Sequence, residues 1–354
     1  MKISIIGPTT SRINGSLLRP LNIWYALTFL HPKYVPIKSI ADLVRFPRSI
    51  LKADLALVSG TNTWTSATIA ILRKLLRRIT IVDVHGFAWY EAYLTKSSLL
   101  MRVLSLISEK LSYRLATSLI VASKFLRYSI HKWIGINPSK IHVVENALTP
   151  LFEKAYNALS RYDKRELRLF LNRELGIPVN KTLIVAPLPD VFRSNVEALK
   201  EIEHIELKDD WVVVITGTHQ KSVKGTISLG YIPYIHYIAL LLASDGVLLP
   251  YPSSAICGGI RNKVLEAMYC NAPIITSKTG VMHIEAIPYV HYLPVEKLEM
   301  IRDKDLIEDI RVNEVAIVRK YTFEKFKMSY LRAIFLVMKM LQILDTKVGA
   351  KLKV

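Results

Sequence analysis

The chain has only two cysteines in 354 residues, and it has no long uninterrupted apolar run. Cys257 and Cys270 cannot build a disulfide framework or a zinc site, which favours a reducing compartment such as the cytoplasm. The most apolar stretch, residues 237–251, is broken by Asp245 and is shorter than the roughly 18 residues needed to span a bilayer. Residues 1–7 resemble a core strand rather than a signal peptide, because a proline and polar residues follow at once. We therefore expect a protein that is soluble or peripheral to a membrane.

Acidic residues are scarce, and the imbalance is concentrated in one half of the chain. Lys and Arg number 48 against 29 Asp and Glu, which gives a formal net charge of +19. Residues 1–155 hold 21 basic and 7 acidic side chains, whereas residues 156–354 hold 27 and 22. A basic half beside a nearly balanced half predicts an acidic partner: a membrane surface, a nucleic acid or a phosphorylated acceptor. The alternative is a generally basic proteome.

The fold class predicted is α/β, with two doubly wound, Rossmann-like domains and a cleft between them. Hydrophobic residues make up 51% of the chain, and its length suits two domains. Apolar strands alternate with helical segments in both halves, which is typical of parallel sheets covered on both faces. The strands predicted are residues 2–7, 53–58, 79–84, 118–122, 140–144, 182–186, 211–216, 226–229, 246–249 and 292–293, with one more within residues 259–280. We place the first domain at residues 1–155 and the second at 176–321, with a last helix, 322–345, packing back on the first.

Residues 259–280 form the most informative pattern in the sequence. They predict a glycine loop, a helix carrying one carboxylate, a proline turn, a strand and a second glycine loop. A helix N-terminus beside the carboxyl end of a strand favours an anion, and Glu266 lies about one turn into the helix, close enough to reach a sugar attached to a phosphate. Residues that could contact a diphosphate are Gly258, Gly259, Arg261 and Lys263. The pattern predicts a nucleotide site; the alternative is a tight turn followed by a solvated helix face.

Several motifs in their order along the chain resemble the GT-B glycosyltransferases, in particular group 1 or family 4. In the second half these are residues 229–231, 240–251 and 259–280. In the first half they are Asp83–Gly86, residues 116–123 and residues 140–146, and Tyr321–Phe323 is similar to the start of the family's last helix. The resemblance implies a hexosyltransferase-type enzyme of glycan biosynthesis that moves a sugar from a nucleoside-diphosphate donor. It also implies retention of configuration, and no metal or cofactor.

The resemblance assigns roles to individual residues. Glu266 matches the family glutamate that hydrogen-bonds the ribose hydroxyls, and His85 matches the histidine near the transferred sugar, which makes it the catalytic candidate. Other donor contacts would come from Gly230, Tyr231, Thr279 and Gly280, and contacts on the acceptor or phosphate side from Gly15 and Ser16.

The sequence also departs from the family pattern. Gly258 stands where a glutamate usually holds the hydroxyls of the sugar, so the sequence does not indicate which sugar is transferred. The phosphate-binding pair that usually follows a strand end is replaced by Ala186–Asp190, and Arg193 is the nearest cation that could substitute for it. The tandem glycine usual near Gly15 is absent.

Basic amphipathic helices in the first half predict a membrane partner. They cover residues 69–78, 99–115 and 124–133, and such helices bind anionic membrane surfaces. We expect a peripheral protein on the inner face of the cell membrane, with a lipid-linked or glycan acceptor. The alternatives are core helices with basic outer faces, a non-catalytic GT-B-like binding protein, and a nucleic-acid-binding protein, which the absence of a recognition motif disfavours. The histidines show no metal-site spacing.

Overall fold

The computed structural model describes residues 2–8, 15–39, 41–60, 62–94, 97–190, 192–218 and 225–351. For residues 15, 16, 91, 94 and 340–351 it describes the backbone only. The chain divides into two compact units. The first is Met1–Asn146 together with Phe323–Val354, and the second is Ala147–Thr322.

The first unit is built on a six-stranded parallel sheet with the order β2-β1-β3-β4-β5-β6. Its elements up to Asn146 are β1 (Ile3–Pro8), α1 (Gly15–Leu27), β2 (Lys33–Ile37), α2 (Asp42–Arg45), α3 (Pro47–Leu51), β3 (Leu55–Ser59), α4 (Thr63–Leu75), β4 (Ile79–Val84), α5 (Ala88–Leu94), α6 (Leu99–Leu115), β5 (Ser118–Val121), α7 (Lys124–Ser129) and β6 (Ile141–Val143). The strand order changes direction between β1 and β3. In doubly wound sheets, ligands bind outside the carboxyl ends of the strands at such a point.

The second unit has a six-stranded parallel sheet with the order β12-β11-β10-β7-β8-β9. Its elements are α8 (Pro150–Leu159), α9 (Lys164–Leu175), β7 (Thr182–Pro187), α10 (Arg193–Glu203), β8 (Trp211–Thr216), β9 (Thr226–Ser228), α11 (Tyr234–Ala243), β10 (Gly246–Leu249), α12 (Asn262–Tyr269), β11 (Ile274–Thr276), β12 (Leu293–Pro294) and α13 (Lys304–Val318). Here the order changes direction between β7 and β10, so this unit also presents a candidate binding edge.

The last helix, α14 (Phe323–Lys351), belongs to the first unit and packs on α1. Its first residue, Phe323, meets Tyr25 edge to face, with ring centroids 6.4 Å apart. Farther along α14, the Phe326 ring lies 5.5 Å from the guanidinium carbon of Arg19. Such aromatic contacts each add about 0.5–1.5 kcal/mol beyond the burial of apolar area.

The division between the units falls at Asn146, whereas the sequence placed the end of the first domain at residue 155 and the start of the second at 176. The helices α8 and α9 both belong to the second unit. Phe152 of α8 is fully buried and meets Tyr269 of α12 edge to face, with ring centroids 5.3 Å apart. This aromatic packing secures α8 to the second unit, so that unit begins before residue 176.

The cores of the two units follow directly from the apolar strands. Ile81 in β4 and Ile184 in β7 are fully buried, as are most residues of these strands. Strands buried on both faces are expected when helices cover a parallel sheet on both sides. The candidate site residues lie at the strand ends and in the loops and helices that follow them.

Candidate active site

In the first unit, a buried ion pair lies at the carboxyl end of β4. Asp83 accepts two hydrogen bonds from the guanidinium of Arg19, from Nε to Oδ2 at 2.9 Å and from Nη2 to Oδ1 at 2.8 Å. The third guanidinium nitrogen, Nη1, donates to Asn146 Oδ1 at 2.9 Å. This forked geometry is the one that arginine offers to a carboxylate. The pair ties α1, β4 and the segment after β6 together.

His85 follows β4 by one residue and is held by the same carboxylate. Its Nε2 lies 2.5 Å from Asp83 Oδ2 and 2.9 Å from Ser59 Oγ, and the Ser59 hydroxyl donates to Asp83 Oδ2 at 2.9 Å. An ionised carboxylate only accepts hydrogen bonds, so Nε2 carries a proton. In the neutral ring Nδ1 is then the acceptor nitrogen, able to receive a hydrogen bond from a substrate hydroxyl.

The charge of Asp83 is maintained despite its burial. Burial by itself would raise the pKa of this carboxyl group, but the charges and hydrogen bonds of Arg19 and His85 outweigh burial and hold the pKa well below its usual value. Asp83 is therefore a fixed negative charge that orients the His85 ring.

In the second unit, Lys263 lies at the point where the strand order changes direction. Its Nζ donates to the carbonyl oxygen of Pro187, the last residue of β7, and to the Tyr251 hydroxyl after β10 at 3.1 Å. A third acceptor is Asn195 Oδ1 on α10 at 3.2 Å. Burial and the nearby charge of Arg261 lower the pKa of Lys263 to about 7, with Glu266 acting in the opposite direction. A buried cation thus stands at the edge where doubly wound sheets bind phosphates.

Arg261 lies beside this lysine and precedes α12. Its guanidinium carbon is 3.9 Å from the centroid of the Tyr251 ring, and it donates through Nη2 to the carbonyl of Ala255. Its Nη1 is buried without a hydrogen-bond partner. In the part of the chain that the structure describes, neither Arg261 nor Lys263 forms an ion pair with a carboxylate. A buried donor on an unpaired cation costs about 1–3 kcal/mol, which an incoming anion would recover.

Glu266 projects from the same helix and is 4% exposed. Its Oε1 accepts a hydrogen bond from the Tyr234 hydroxyl at 2.6 Å, and its Oε2 accepts one from the Tyr237 hydroxyl at 3.0 Å. Burial raises the pKa of Glu266, while the two tyrosine hydrogen bonds and Lys263 oppose that rise. The carboxylate is therefore held by neutral donors at the inner side of α12.

Two further loops contain residues predicted to contact the donor. Gly230 adopts a left-handed conformation with a φ of 64°, and its N–H donates to the Thr218 carbonyl at 3.0 Å. Half-buried Tyr231 follows it. After β11, Thr279 is half-buried and Gly280 is buried. A Cβ at Gly280 would collide with Thr276 Oγ1, so only glycine fits there.

The Gly258–Gly259 loop is buried, and two side-chain hydrogen bonds hold it in place. Cys257 donates through its thiol to the Gly259 carbonyl at 2.9 Å. The His283 Nε2 lies 2.8 Å from the Cys257 carbonyl oxygen. His283 has a φ of 73°, a strained value for a residue other than glycine, and strain of this kind concentrates at functional sites. No sequence pattern pointed to His283.

Two other groups of predicted residues are placed differently. Arg193 is the first residue of α10, and its side chain is 57% exposed and pairs with Glu197 at 3.3 Å. Gly15 and Ser16 begin α1, and only their backbone is described. The structure thus brings Arg261 and Lys263 together at Tyr251, with Glu266 on the same helix as Lys263, whereas the Arg193 side chain pairs with Glu197 outside that group.

Sequence reasoning missed the partners that hold the site. These are Arg19, Ser59 and Asn146 in the first unit, and Tyr234, Tyr237, Tyr251, Asn195 and His283 in the second. Among these residues, only Tyr234 and Tyr237 could have been recognised from the sequence. Their spacing of three residues places both hydroxyls on one face of α11.

Metal-ligand clusters and membrane-spanning helices are both missing from the described residues. No three His, Cys, Asp or Glu side chains are grouped so that they could hold a metal ion. Within the same residues, every helix is too short or too polar to cross a lipid bilayer.

Solved structures resemble the whole chain. HepE of Anabaena, in complex with UDP-glucose, matches with a TM-score of 0.67 at 14% identity, covering 97% of this chain and 99% of that one. Sucrose-phosphate synthase of Thermosynechococcus elongatus matches with a TM-score of 0.67 at 14% identity, covering 99% of each chain. WaaG, a glycosyltransferase involved in lipopolysaccharide biosynthesis, matches with a TM-score of 0.65 at 12% identity, covering 94% of this chain and 99% of that one. The chain therefore has the GT-B fold of glycosyltransferases, which confirms the predicted fold class.

The amino-acid sequence also matches a glycosyltransferase family. Residues 9–150 match the model of Glycosyltransferase Family 4, so the predicted resemblance to that family is confirmed. No protein of curated function matches this sequence.

Proposed function

We propose that this protein is a glycosyltransferase that moves a sugar from a nucleoside-diphosphate donor to an acceptor hydroxyl. The observation that carries the proposal is the pair of cations at the β7 and β10 ends, Arg261 and Lys263, which lack a carboxylate partner among the described residues. A diphosphate supplies the missing negative charge. The GT-B fold and the family match over residues 9–150 support this choice of ligand, and HepE was solved with UDP-glucose.

The proposed reaction retains the configuration of the sugar and uses no metal. The acceptor oxygen bonds to the anomeric carbon while the bond from that carbon to the β-phosphate breaks. The electron pair leaves with the diphosphate, whose oxygen takes the proton of the acceptor hydroxyl. Arg261 and Lys263 stabilise the growing negative charge, an electrostatic contribution of the kind that dominates many enzymes. Glu266 accepts hydrogen bonds from the ribose, and His85 accepts one through Nδ1 from a hydroxyl of the transferred sugar.

The Arg261→Met variant tests the diphosphate site. We expect the wild type to bind one of UDP, GDP and ADP, and we expect the variant to bind it about tenfold more weakly, because a charge-assisted hydrogen bond is lost. Isothermal titration calorimetry measures both. Arg302→Met is the matched control, since Arg302 also lies over an aromatic ring, Trp211 at 5.5 Å, in the same unit.

The outcomes of this titration separate the hypotheses. The proposed function is contradicted if the wild type binds none of the three nucleotides. It is also contradicted if Arg261→Met and Arg302→Met lose nucleotide affinity equally. Arg193→Met, measured alongside, decides whether that predicted residue contributes to donor binding.

We further propose that the acceptor is lipid-linked and that the start of α6 enters an anionic membrane. Three consecutive apolar residues begin this helix, and Leu99, Leu100 and Met101 are 75%, 66% and 55% exposed. The surplus of basic residues in the first half would attract anionic lipid. WaaG acts in lipopolysaccharide biosynthesis, which is consistent with an acceptor of this kind.

Vesicle flotation tests the membrane proposal. The wild type is expected to float at low salt with vesicles containing phosphatidylglycerol, and less with phosphatidylcholine alone. Leu99→Ser is expected to weaken partitioning about tenfold, because one apolar side chain no longer leaves water. Val312→Ser, at a position 63% exposed in the second unit, should have no effect. A wild type that stays at the bottom of the gradient, or equal floating of both variants, would refute membrane insertion by α6.

A further inference from the structure

Glu266 is held by two tyrosines that lie outside the 259–280 pattern. Tyr234 and Tyr237 are one helical turn apart on α11, and each hydroxyl donates to a different carboxylate oxygen, at 2.6 and 3.0 Å. The carboxylate is 4% exposed, so water does not orient it. Two neutral donors on separate oxygens restrict both the position and the rotation of the carboxylate.

The Tyr234 hydroxyl is itself held in place. Thr149 hydrogen-bonds it, and Thr149 also caps α8 by accepting a hydrogen bond from the Phe152 N–H at 3.0 Å. Thr149, Tyr234 and Glu266 therefore form a continuous polar chain across three helices. A buried chain of this kind is rigid when all its members are satisfied.

The chemistry of the carboxylate leaves capacity for a ligand. An ionised carboxylate has about four lone-pair positions, and the tyrosines use one on each oxygen. A second position on each oxygen can accept from two vicinal hydroxyls, the arrangement that a ribose presents. Lysine or arginine in place of the tyrosines would pair with the charge, whereas a tyrosine hydroxyl orients the carboxylate and leaves it negative.

We propose that Tyr234 and Tyr237 are positioning residues of the donor site, which fix the Glu266 carboxylate so that it accepts hydrogen bonds from the two ribose hydroxyls. This assignment rests on the proposed function, because it presupposes a nucleotide donor. It makes the preference for a ribonucleotide over a 2′-deoxynucleotide a property of the two tyrosines as well as of Glu266.

The test measures that preference directly. Dissociation constants of UDP, GDP and ADP, and of their 2′-deoxy counterparts, are determined by calorimetry for the wild type, Tyr234→Phe and Tyr237→Phe. We expect the wild type to bind the ribonucleotide about tenfold more tightly than its deoxy analogue, the value of one hydrogen bond to a charged group. Each phenylalanine variant should reduce this preference to about threefold or less, with a smaller loss of affinity for the deoxy analogue, which keeps only one of the two hydroxyls.

Tyr269→Phe is the matched control, because Tyr269 lies on α12 three residues from Glu266 and its ring packs on Phe152. It should keep the wild-type preference. If a Tyr234 or Tyr237 variant loses affinity equally for both sugars, the tyrosines are structural and the assignment is overturned; an unchanged preference, or a wild type that binds nucleotides without any preference, overturns it as well. Failure of the wild type to bind any nucleotide overturns the proposed function itself. Two separate variants keep the test decisive if one of them does not fold.

Discussion

Replacing Arg19 with methionine is expected to lower the free energy of unfolding of the first unit by about 3–5 kcal/mol. Methionine keeps much of the side-chain length but leaves the Asp83 carboxylate without the cation that contacts its oxygens at 2.8 and 2.9 Å. Arg19 and Asp83 are both buried, with side chains 2% and 0% exposed, so water cannot replace the lost partner. Hydrogen exchange of the β4 amides measures the loss, because the central strand of a sheet exchanges only when its unit opens.

The control for this prediction is Arg78→Met. Arg78 pairs with Asp54 at 3.2 Å, and both side chains are 44% exposed, so the loss should be far smaller than in Arg19→Met. If Arg19→Met and Arg78→Met lowered the free energy of unfolding by comparable amounts, burial would not be the reason that the Arg19–Asp83 pair stabilises the first unit.

The same pair predicts how the first unit responds to acid. The pKa of Asp83 is well below its usual value in the folded protein, because the Arg19 and His85 interactions outweigh the opposing effect of burial. Such a group contributes stability above its unfolded pKa of about 3.9, and that stability is lost as the pH falls through the lower folded pKa. Arg19→Met raises the folded pKa, so acid unfolding followed by circular dichroism should begin at a higher pH than in the wild type. An identical onset would contradict this account.

Sequence patterns predicted the features that depend on residues close together in the chain. The long apolar strands and the 259–280 pattern predicted both sheets, and they placed Lys263 and Glu266 on one short helix. Their spacing of three puts them on the same side of α12. Every strand that the structure describes except β2 has a predicted counterpart. β2 (Lys33–Ile37) was missed because Pro36 breaks its apolar pattern, and proline is tolerated there because β2 is an edge strand.

Long-range partners could not be predicted in this way. Arg19 meets Asp83 and Asn146, which are 64 and 127 residues away in the chain, and no spacing rule relates such positions. The same holds for the cation at the end of β7. The sequence proposed Arg193 because it follows the altered strand end most closely, whereas in the structure Lys263 reaches the Pro187 carbonyl at the end of β7 from a distant helix. Only the packing of α12 against the strand ends reveals that relation.

Donor binding is expected to weaken by about 50-fold between pH 7 and pH 9 because of Lys263. Burial and Arg261 lower the pKa of Lys263 to about 7 in the free protein, and a bound diphosphate would return it toward its ordinary value near 10.4. Complex formation therefore takes up a proton between these two values. Affinity is full below the free pKa and falls as the pH rises through it. The nucleotide contributes little to this change, since its terminal phosphate is already ionised above a pKa of about 6.

Calorimetry at a series of pH values, repeated in buffers of different ionisation enthalpy, measures both the affinity and the proton uptake. Lys263→Arg is the discriminating variant, because arginine stays charged throughout this range and should flatten the profile. Lys263→Met should bind weakly at every pH, because it removes the charge itself. A flat wild-type profile, or an unchanged slope in Lys263→Arg, would mean that Lys263 does not contact the diphosphate and that Arg261 alone balances its charge. The pH profile therefore distinguishes a site with two cations from a site with one.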